Sequence, residues 1–324
     1  MPKNDFARKL LNICSHVKSV AISGHITPDY DSLCSSFAMQ EILRQNGIDS
    51  DVILENELDE NFYEFLRKLE VKTNPSEYEA FICVDCREKT LLPKISLECL
   101  AKAKSTFVID HHMGQVSWAD FCEIMVGESS ACEVIFRTFE PYFRLNEKLA
   151  KIFYIGIYAD TGGFIYSNTH SSTFEILAKL VKFDIKTDEI VHDCFEVVKK
   201  EAFEINKRAI NSVQFYHNGE IAVSILTNKD YLETKALYSG SKFIVSYLQS
   251  VEGVKVAISI FEKEPKVFHV SLRTAVDGVD VNKIATRFKG GGHKRASGLT
   301  LMGDLTKCVN AVIKQAEYVL ENDK

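Results

Sequence analysis

Short, unbroken apolar runs alternate with amphipathic stretches through the first half of the chain. Val20-Ala21-Ile22, Phe81-Ile82-Cys83-Val84 and Phe107-Val108-Ile109 lack the polar alternation of a half-exposed strand. They read as strands covered on both faces. The predicted order is strand 19–23, helix 32–45 closed by Gly47, strand 50–54, helix 61–69 and strand 80–84. Helix 97–103 and strands 105–109 and 123–126 follow. The next helix opens with Ser130-x-x-Glu133, a capping-box pattern ahead of the apolar Val134, Ile135 and Phe136. This alternation predicts an α/β fold, a parallel sheet wrapped by helices.

The pattern then changes. Residues 186–212 carry mixed charge around Ile190, Val191, Phe195, Val198 and Ile205, with neither Pro nor Gly, and predict one connecting helix. Beyond it, strands are predicted at 220–226, 254–262 and 266–274. The last two form an antiparallel hairpin turned by Lys263-Glu264-Pro265. A helix at 281–288 leads into a glycine run, and 305–320 reads as a closing helix. The expected organisation is a catalytic-type domain over 1–185, a helical linker over 186–212, and a smaller α/β domain with a mixed sheet over 213–324.

A chain of 324 residues accommodates two domains with proper cores. No apolar run approaches the ~20 residues of a membrane span. The opening Met1-Pro2-Lys3-Asn4-Asp5 lacks the apolar core of a signal peptide. Nine scattered cysteines, an odd number, point to a reducing compartment and hence to the cytoplasm. Net charge is −6, unevenly placed: residues 1–185 hold 19 basic and 27 acidic side chains (−8), and residues 186–324 hold 20 and 18 (+2). No dense basic stripe is present, which argues against tight binding of long DNA or RNA.

Four segments then bring metal-type ligands to what read as strand ends: His25 with Asp29 and Asp31, Asp85, Asp110-His111-His112, and Asp160 before Thr161-Gly162-Gly163. Taken singly, Asp31 could cap a helix and Asp85 could cap or turn. Together they form an oxygen-rich set with imidazoles and no thiolate, suited to manganese or magnesium-like ions. Asp29, Asp31, Asp85 and Asp160 already exceed the needs of one ion but fit two ions sharing a carboxylate, the arrangement that serves phosphoester hydrolysis. A second signal is Gly290-Gly291-Gly292-His293-Lys294-Arg295. It reads either as a backbone nest for phosphate or as a flexible loop. Arg273, at the end of a hairpin strand, is either a phosphate ligand or a surface residue. Cys83-x-x-Cys86 has no second pair at metal spacing.

These motifs resemble those of the DHH phosphoesterase superfamily, with the Gly-Gly-Gly-His segment similar to its DHH-associated C-terminal domain. The closest similarity is to the stand-alone bacterial nano-RNases. The resemblance implies that His25, Asp29 and Asp85 bind one Mn2+ ion, and that Asp31, Asp85, His111 and Asp160 bind a second. Asp110 would orient the histidine pair, and His112 would lie near the substrate phosphate. Arg273 and His293 would hold the substrate's other phosphate, with Gly291 and Gly292 lining it. The implied activity is Mn2+-dependent hydrolysis of very short oligoribonucleotides, including the linear dinucleotides pGpG and pApA, with 3′-phosphoadenosine-5′-phosphate phosphatase activity alongside and a homodimeric assembly. Cyclic di-AMP hydrolysis and a non-catalytic nucleotide sensor are the alternatives. Tyr30, between the two aspartates, and Lys289, before the triple glycine, depart from the superfamily pattern without removing a ligand.

Overall fold

The computed structural model describes residues 5–58, 62–74, 77–241 and 243–322, and the chain divides into two compact units, Met1–Val197 and Val198–Lys324. In the first unit, α1 (Asp5–Cys14), β1 (Val20–Ser23), α2 (Tyr30–Gln45), β2 (Ser50–Val52), α3 (Glu64–Arg67) and β3 (Ala80–Val84) are followed by α4 (Lys94–Lys102), β4 (Ser105–Asp110) and β5 (Phe121–Ile124). Helices α5 (Ala131–Phe139), α6 (Glu147–Asp160), α7 (Ser171–Leu180) and α8 (Thr187–Val191) complete it. All five strands are parallel, in the order β2-β1-β3-β4-β5.

The unbroken apolar runs follow from burial on both faces. Ile22, Ile82, Phe107 and Ile109 join the core built with Phe37 of α2, Phe136 of α5 and Phe153 of α6. The alternate residues Ala21, Phe81, Cys83 and Val108 meet Ile95, Cys99 and Leu100 of α4 on the other face. The strand order reverses direction between β1 and β3. In open parallel sheets, ligands bind in the crevice beyond the strand ends at such a switch point.

Several predicted elements differ in detail. Asp160 is not at a strand end: it closes helix α6, whose N-cap Asn146 accepts a hydrogen bond from the Leu149 N–H at 2.8 Å. Helix 61–69 shrinks to the single turn of α3, and Asn61 lies outside the described residues. Only half of the capping box forms. Ser130 Oγ accepts from the Glu133 N–H, but the Glu133 carboxylate turns to Ser129, Thr173 and Arg137 instead. The stretch expected as one linker helix holds α8, a π-helical turn at His192–Glu196 and, after extended Val197, helix α9 (Lys200–Asn211).

In the second unit, α9 precedes β6 (Gln214–Tyr216), β7 (Ile221–Leu226), α10 (Asn228–Thr234), α11 (Phe243–Gln249), β8 (Val256–Glu264) and β9 (Val267–Arg273). Then come α12 (Val281–Arg287), β10 (Gly291–His293), β11 (Ala296–Met302) and α13 (Leu305–Asn322). The mixed sheet runs β10-β11-β9-β8-β7-β6; β7 and β8 are parallel and every other pair is antiparallel. One face carries Ile258, Ile260 and Leu272 against α12 and α13. The other carries Ala222 and Ala257 against α9 and α11.

Candidate metal centre

The first unit's predicted site gathers beyond the carboxyl ends of the strands, with Asp160 reaching it from the end of α6. His25 and Asp29 lie between β1 and α2. Asp29 also caps α2, accepting from the Ser32 N–H at 2.9 Å, so Asp29 rather than Asp31 is the helix cap. Asp85 follows β3 with a left-handed backbone (φ 52°), a conformation that costs a non-glycine residue roughly 1–3 kcal/mol. Asp110 ends β4, and His111 and His112 leave it.

Asp31 sits in the first turn of α2, 1% exposed, and its carboxylate accepts the Ala131 and Cys132 N–H groups at 2.7 and 3.1 Å. Those are the first amides of α5, so the helix dipole and its unpaired donors hold a negative charge there. Gly156 of α6 makes the approach possible. A Cβ at that position would lie 2.4 Å from Cys132 Sγ and 3.2 Å from Asp31 Oδ1.

Three groups of ligand atoms form, each with all members within 4.8 Å: His25, Asp29 and Asp85; Asp31, His111 and Asp160; and Asp85, Asp110, His111 and His112. Asp85 lies at the centre. Its oxygens stand 3.5 Å from His25 Nε2 and 3.6 Å from His111 Nε2, and His111 Nε2 is 3.4 Å from Asp160. Asp110 Oδ1 accepts from the His111 and His112 N–H groups and pairs with His112 Nδ1 at 2.8 Å, which leaves His112 Nε2 as the ring's free nitrogen. His111 Nδ1 lies 3.3 Å from the Glu128 carbonyl, so the opposite nitrogen is turned to the carboxylates.

The donor set fits divalent cations. His111 Nε2 and Asp110 Oδ2 are buried without a hydrogen-bond partner, and buried polar atoms of this kind call for a ligand. The aspartates around His111 otherwise face one another at close range. Burial, with Asp85 and Asp160 nearby, pushes the Asp31 carboxyl well above its usual range, and burial raises Asp160 to about 6. His25, with the Asp29 and then the Asp85 carboxylate beside its ring, is raised to about 10. Burial works against the charge on His111, but Asp85, Asp31 and Asp160 outweigh it and raise the ring to about 9. The carboxylates that favour charge on these rings would equally favour a divalent cation among them.

A cavity of about 330 Å³ opens onto His25, Asp29, Asp85, Asp110, His112 and Asp160. Arg87 and Leu91 also line it and were not singled out from sequence. The amide of Asn168, which carries no sequence signal, donates to the Ser129 and Asp160 carbonyls at 2.8 and 3.0 Å and steadies the end of α6. Tyr30 points elsewhere. Its ring packs 5.7 Å from Phe62 and 5.1 Å from Phe195, and its hydroxyl accepts the Tyr63 N–H.

In the second unit, the glycine run is a strand rather than a loop. Gly291, Gly292 and His293 form β10, paired with Gly298, Ser297 and Ala296. Gly292 has φ 142°, and a Cβ there would meet the Ala296 carbonyl at 2.5 Å. Ala296 faces His293 on one side and Arg273 on the other. Directly opposed residues share a sheet face, so Arg273 and His293 flank a small side chain about 10 Å apart, two strand spacings. Lys289, left-handed at φ 60°, follows the end of α12.

Residues 19–157 match the DHH family N-terminal domain, and residues 218–322 match the DHHA1 domain. The chain is 25% identical over 298 residues to the bifunctional oligoribonuclease and PAP phosphatase NrnA of Bacillus subtilis, covering 90% of this chain and 92% of that one. Its fold is similar to an exopolyphosphatase-related protein from Bacteroides fragilis (TM-score 0.85, 20% identity, 96% of this chain and 95% of that one). It is also similar to the pGpG-specific phosphodiesterase PggH from Vibrio cholerae (TM-score 0.54, 14% identity, 93% and 100%). With both domain matches in chain order and the clustered Asp-His-His site on the first, the chain belongs to the DHH family and carries a DHHA1 domain.

Proposed function

We propose that this protein is a Mn2+-dependent phosphodiesterase that hydrolyses very short oligoribonucleotides, linear dinucleotides among them, to mononucleotides. The observation that carries the reading is the junction at Asp85, where two ligand groups meet at the sheet's switch point. Its similarity along nearly the whole chain to a curated oligoribonuclease and PAP phosphatase supports the substrate class. It also supports 3′-phosphoadenosine-5′-phosphate as a further substrate.

In this reading His25, Asp29 and Asp85 hold one cation, and Asp31, His111, Asp160 and the shared Asp85 hold the other. Bound there, two divalent ions supply Lewis acidity, acidifying water and offsetting charge that develops at phosphorus. The protein's own groups do the rest. Asp110 fixes the His112 ring through Nδ1, so His112 Nε2 can present a proton to the departing oxygen; pairing with Asp110 raises the His112 pKa and keeps that proton available. Ala131 and Cys132 N–H groups hold Asp31 in place. In the second unit, Arg273 and His293, with Gly291 and Gly292 beside them, bind a substrate phosphate.

Among the described residues no helix is long and apolar enough to cross a membrane. The reading extends, on the resemblance to nano-RNases, to a homodimer acting in the cytoplasm, and the scattered cysteines fit a reducing compartment. The test is hydrolysis by the purified protein with Mn2+ of pGpG, pApA, 5-mer and 24-mer RNA, cyclic di-AMP, 3′-phosphoadenosine-5′-phosphate and pyrophosphate. Rapid loss of the dinucleotides with the 24-mer spared is expected. Preference for cyclic di-AMP, or no turnover with any metal, would overturn the reading.

A further inference from the structure

A second, smaller cavity of about 120 Å³ also borders His25, and neither His111 nor His112 lines it. At ~30 Å³ per water this is room for about four waters, the scale of one nucleobase rather than a nucleotide. Leu54, Phe62, Pro28 and Pro93 give it apolar walls, one of them the flat ring of Phe62. Beyond His25, its polar lining comes from one short segment, half-buried Glu55 followed by exposed Asn56 and Glu57.

Glu55 is held at the end of the β2 segment. The Ile53 N–H donates to the Ile22 carbonyl of β1 at 2.8 Å, and the Leu54 N–H to the Lys72 carbonyl at 3.1 Å. The carboxylate therefore leaves the sheet next to the strand that delivers His25. Glu55 Oε2 is buried and has no hydrogen-bond donor. An ionised carboxylate only accepts, and this oxygen lacks a donor, so a ligand in the adjoining cavity that brings N–H groups would supply what Glu55 is missing.

Base edges differ in how well they meet that need. Guanine presents N1–H and the N2 amino group side by side, two adjacent donors for the two oxygens of one carboxylate. Adenine and cytosine each place a ring acceptor beside their amino group, and uracil flanks its single N–H with two carbonyls. Each of those three would bring a lone pair against Glu55.

We propose that this cavity is a base pocket in which Glu55 reads the N1–H and N2–H edge of guanine, making guanine-containing linear dinucleotides the preferred substrates. The inference rests on the phosphodiesterase reading and adds to it the base that the site selects. Phe62 and the prolines pack against the faces of the base, and His25 at the shared border ties the pocket to the metal centre.

The experiment compares kcat/KM for pGpG, pApA, pUpU and pCpC in the full-length protein with Mn2+, and in Glu55→Gln and Glu55→Ala. Guanine should be favoured by roughly ten- to a hundredfold, the range of a good bidentate base contact. Glu55→Gln keeps the side chain's shape and puts a donor where guanine needs an acceptor. It should remove that preference by lowering kcat/KM for pGpG while sparing or raising it for pApA, whose ring acceptor no longer meets a carboxylate oxygen. A general folding defect would lower all four substrates alike and leave their ratio unchanged. Equal wild-type rates on all four dinucleotides would overturn the proposal. So would a uniform loss in Glu55→Gln accompanied by weaker Mn2+ binding, which would make Glu55 a metal ligand. If the wild type cleaves no dinucleotide, the phosphodiesterase reading fails instead. The pocket is then judged by calorimetry with GMP against AMP: tighter GMP binding that Glu55→Gln removes supports it, and equal binding overturns it.

Discussion

Metal binding should be strongly coupled to proton release, because the metal-free site is held together by protons. His25 and His111 are raised to about 10 and about 9, so both rings are imidazolium at neutral pH. Neither can ligate a cation in that form. Loading both positions at pH 7.5 should release roughly two protons per chain, with more from Asp31, whose carboxyl is also pushed up. The overall constant for filling the centre should then rise about a hundredfold per pH unit between roughly pH 6.5 and 8.5. Stability of the metal-free protein should run the other way. A histidine raised above 6.5 by the fold contributes stability fully below that pH, and the contribution is lost as pH rises through about 9 for His111 and about 10 for His25. Calorimetric titration with Mn2+ in buffers of low and high ionisation enthalpy measures the proton count. Thermal melts of metal-free protein across the same range measure the stability. Fewer than about one proton released, or a metal-free melting temperature that climbs from pH 7 to 10, would refute this account of the site.

Other perturbations separate the contributing groups. Asp85→Ala should lower turnover by at least about a thousandfold while circular dichroism stays native, because the proposed function has this one side chain reach both ions. Asp31→Asn offers one acceptor where the Ala131 and Cys132 N–H groups use two, and turns its NH2 at the other amide. It should lower the melting temperature of the metal-free protein by a few degrees, about 1–3 kcal/mol, and abolish activity. Gly156→Val should destabilise the first unit by roughly 1–3 kcal/mol in urea titrations, since its side chain would collide with Cys132 and press on Asp31. Arg273→Ala and His293→Ala should each raise KM for pApA about tenfold or more with a smaller effect on kcat, because the proposed function has them bind a substrate phosphate and gives them no part in the reacting bonds.

The sheet was legible because burial on both faces writes continuous apolar runs, and β1, β3 and β4 fall within a residue of their predicted bounds. The stretch Phe153-Tyr154-Ile155-Gly156-Ile157-Tyr158-Ala159 misleads for the same reason. Periodicity cannot separate a fully buried helix from a buried strand, and only the Asn146 cap seven residues upstream marks α6 as a helix. Asp160 is nonetheless in the cluster, because a helix end can deliver a carboxylate to the same crevice as a strand end. The glycine run looked like a loop because Gly has low strand propensity, yet close pairing with β11 requires residues without a Cβ there. Asn168, Arg87 and the α5 amides that hold Asp31 left no local pattern to read. Their roles depend on segments up to a hundred positions apart meeting at one point.

The central claim, two cations sharing Asp85, is tested most directly by anomalous diffraction at the manganese edge from crystals soaked in Mn2+. Two peaks roughly 3.5–4 Å apart are expected, with Asp85 reaching both. One should lie against His25 and Asp29, and the other against Asp31, His111 and Asp160. A single peak, or two peaks that Asp85 does not join, would contradict the account.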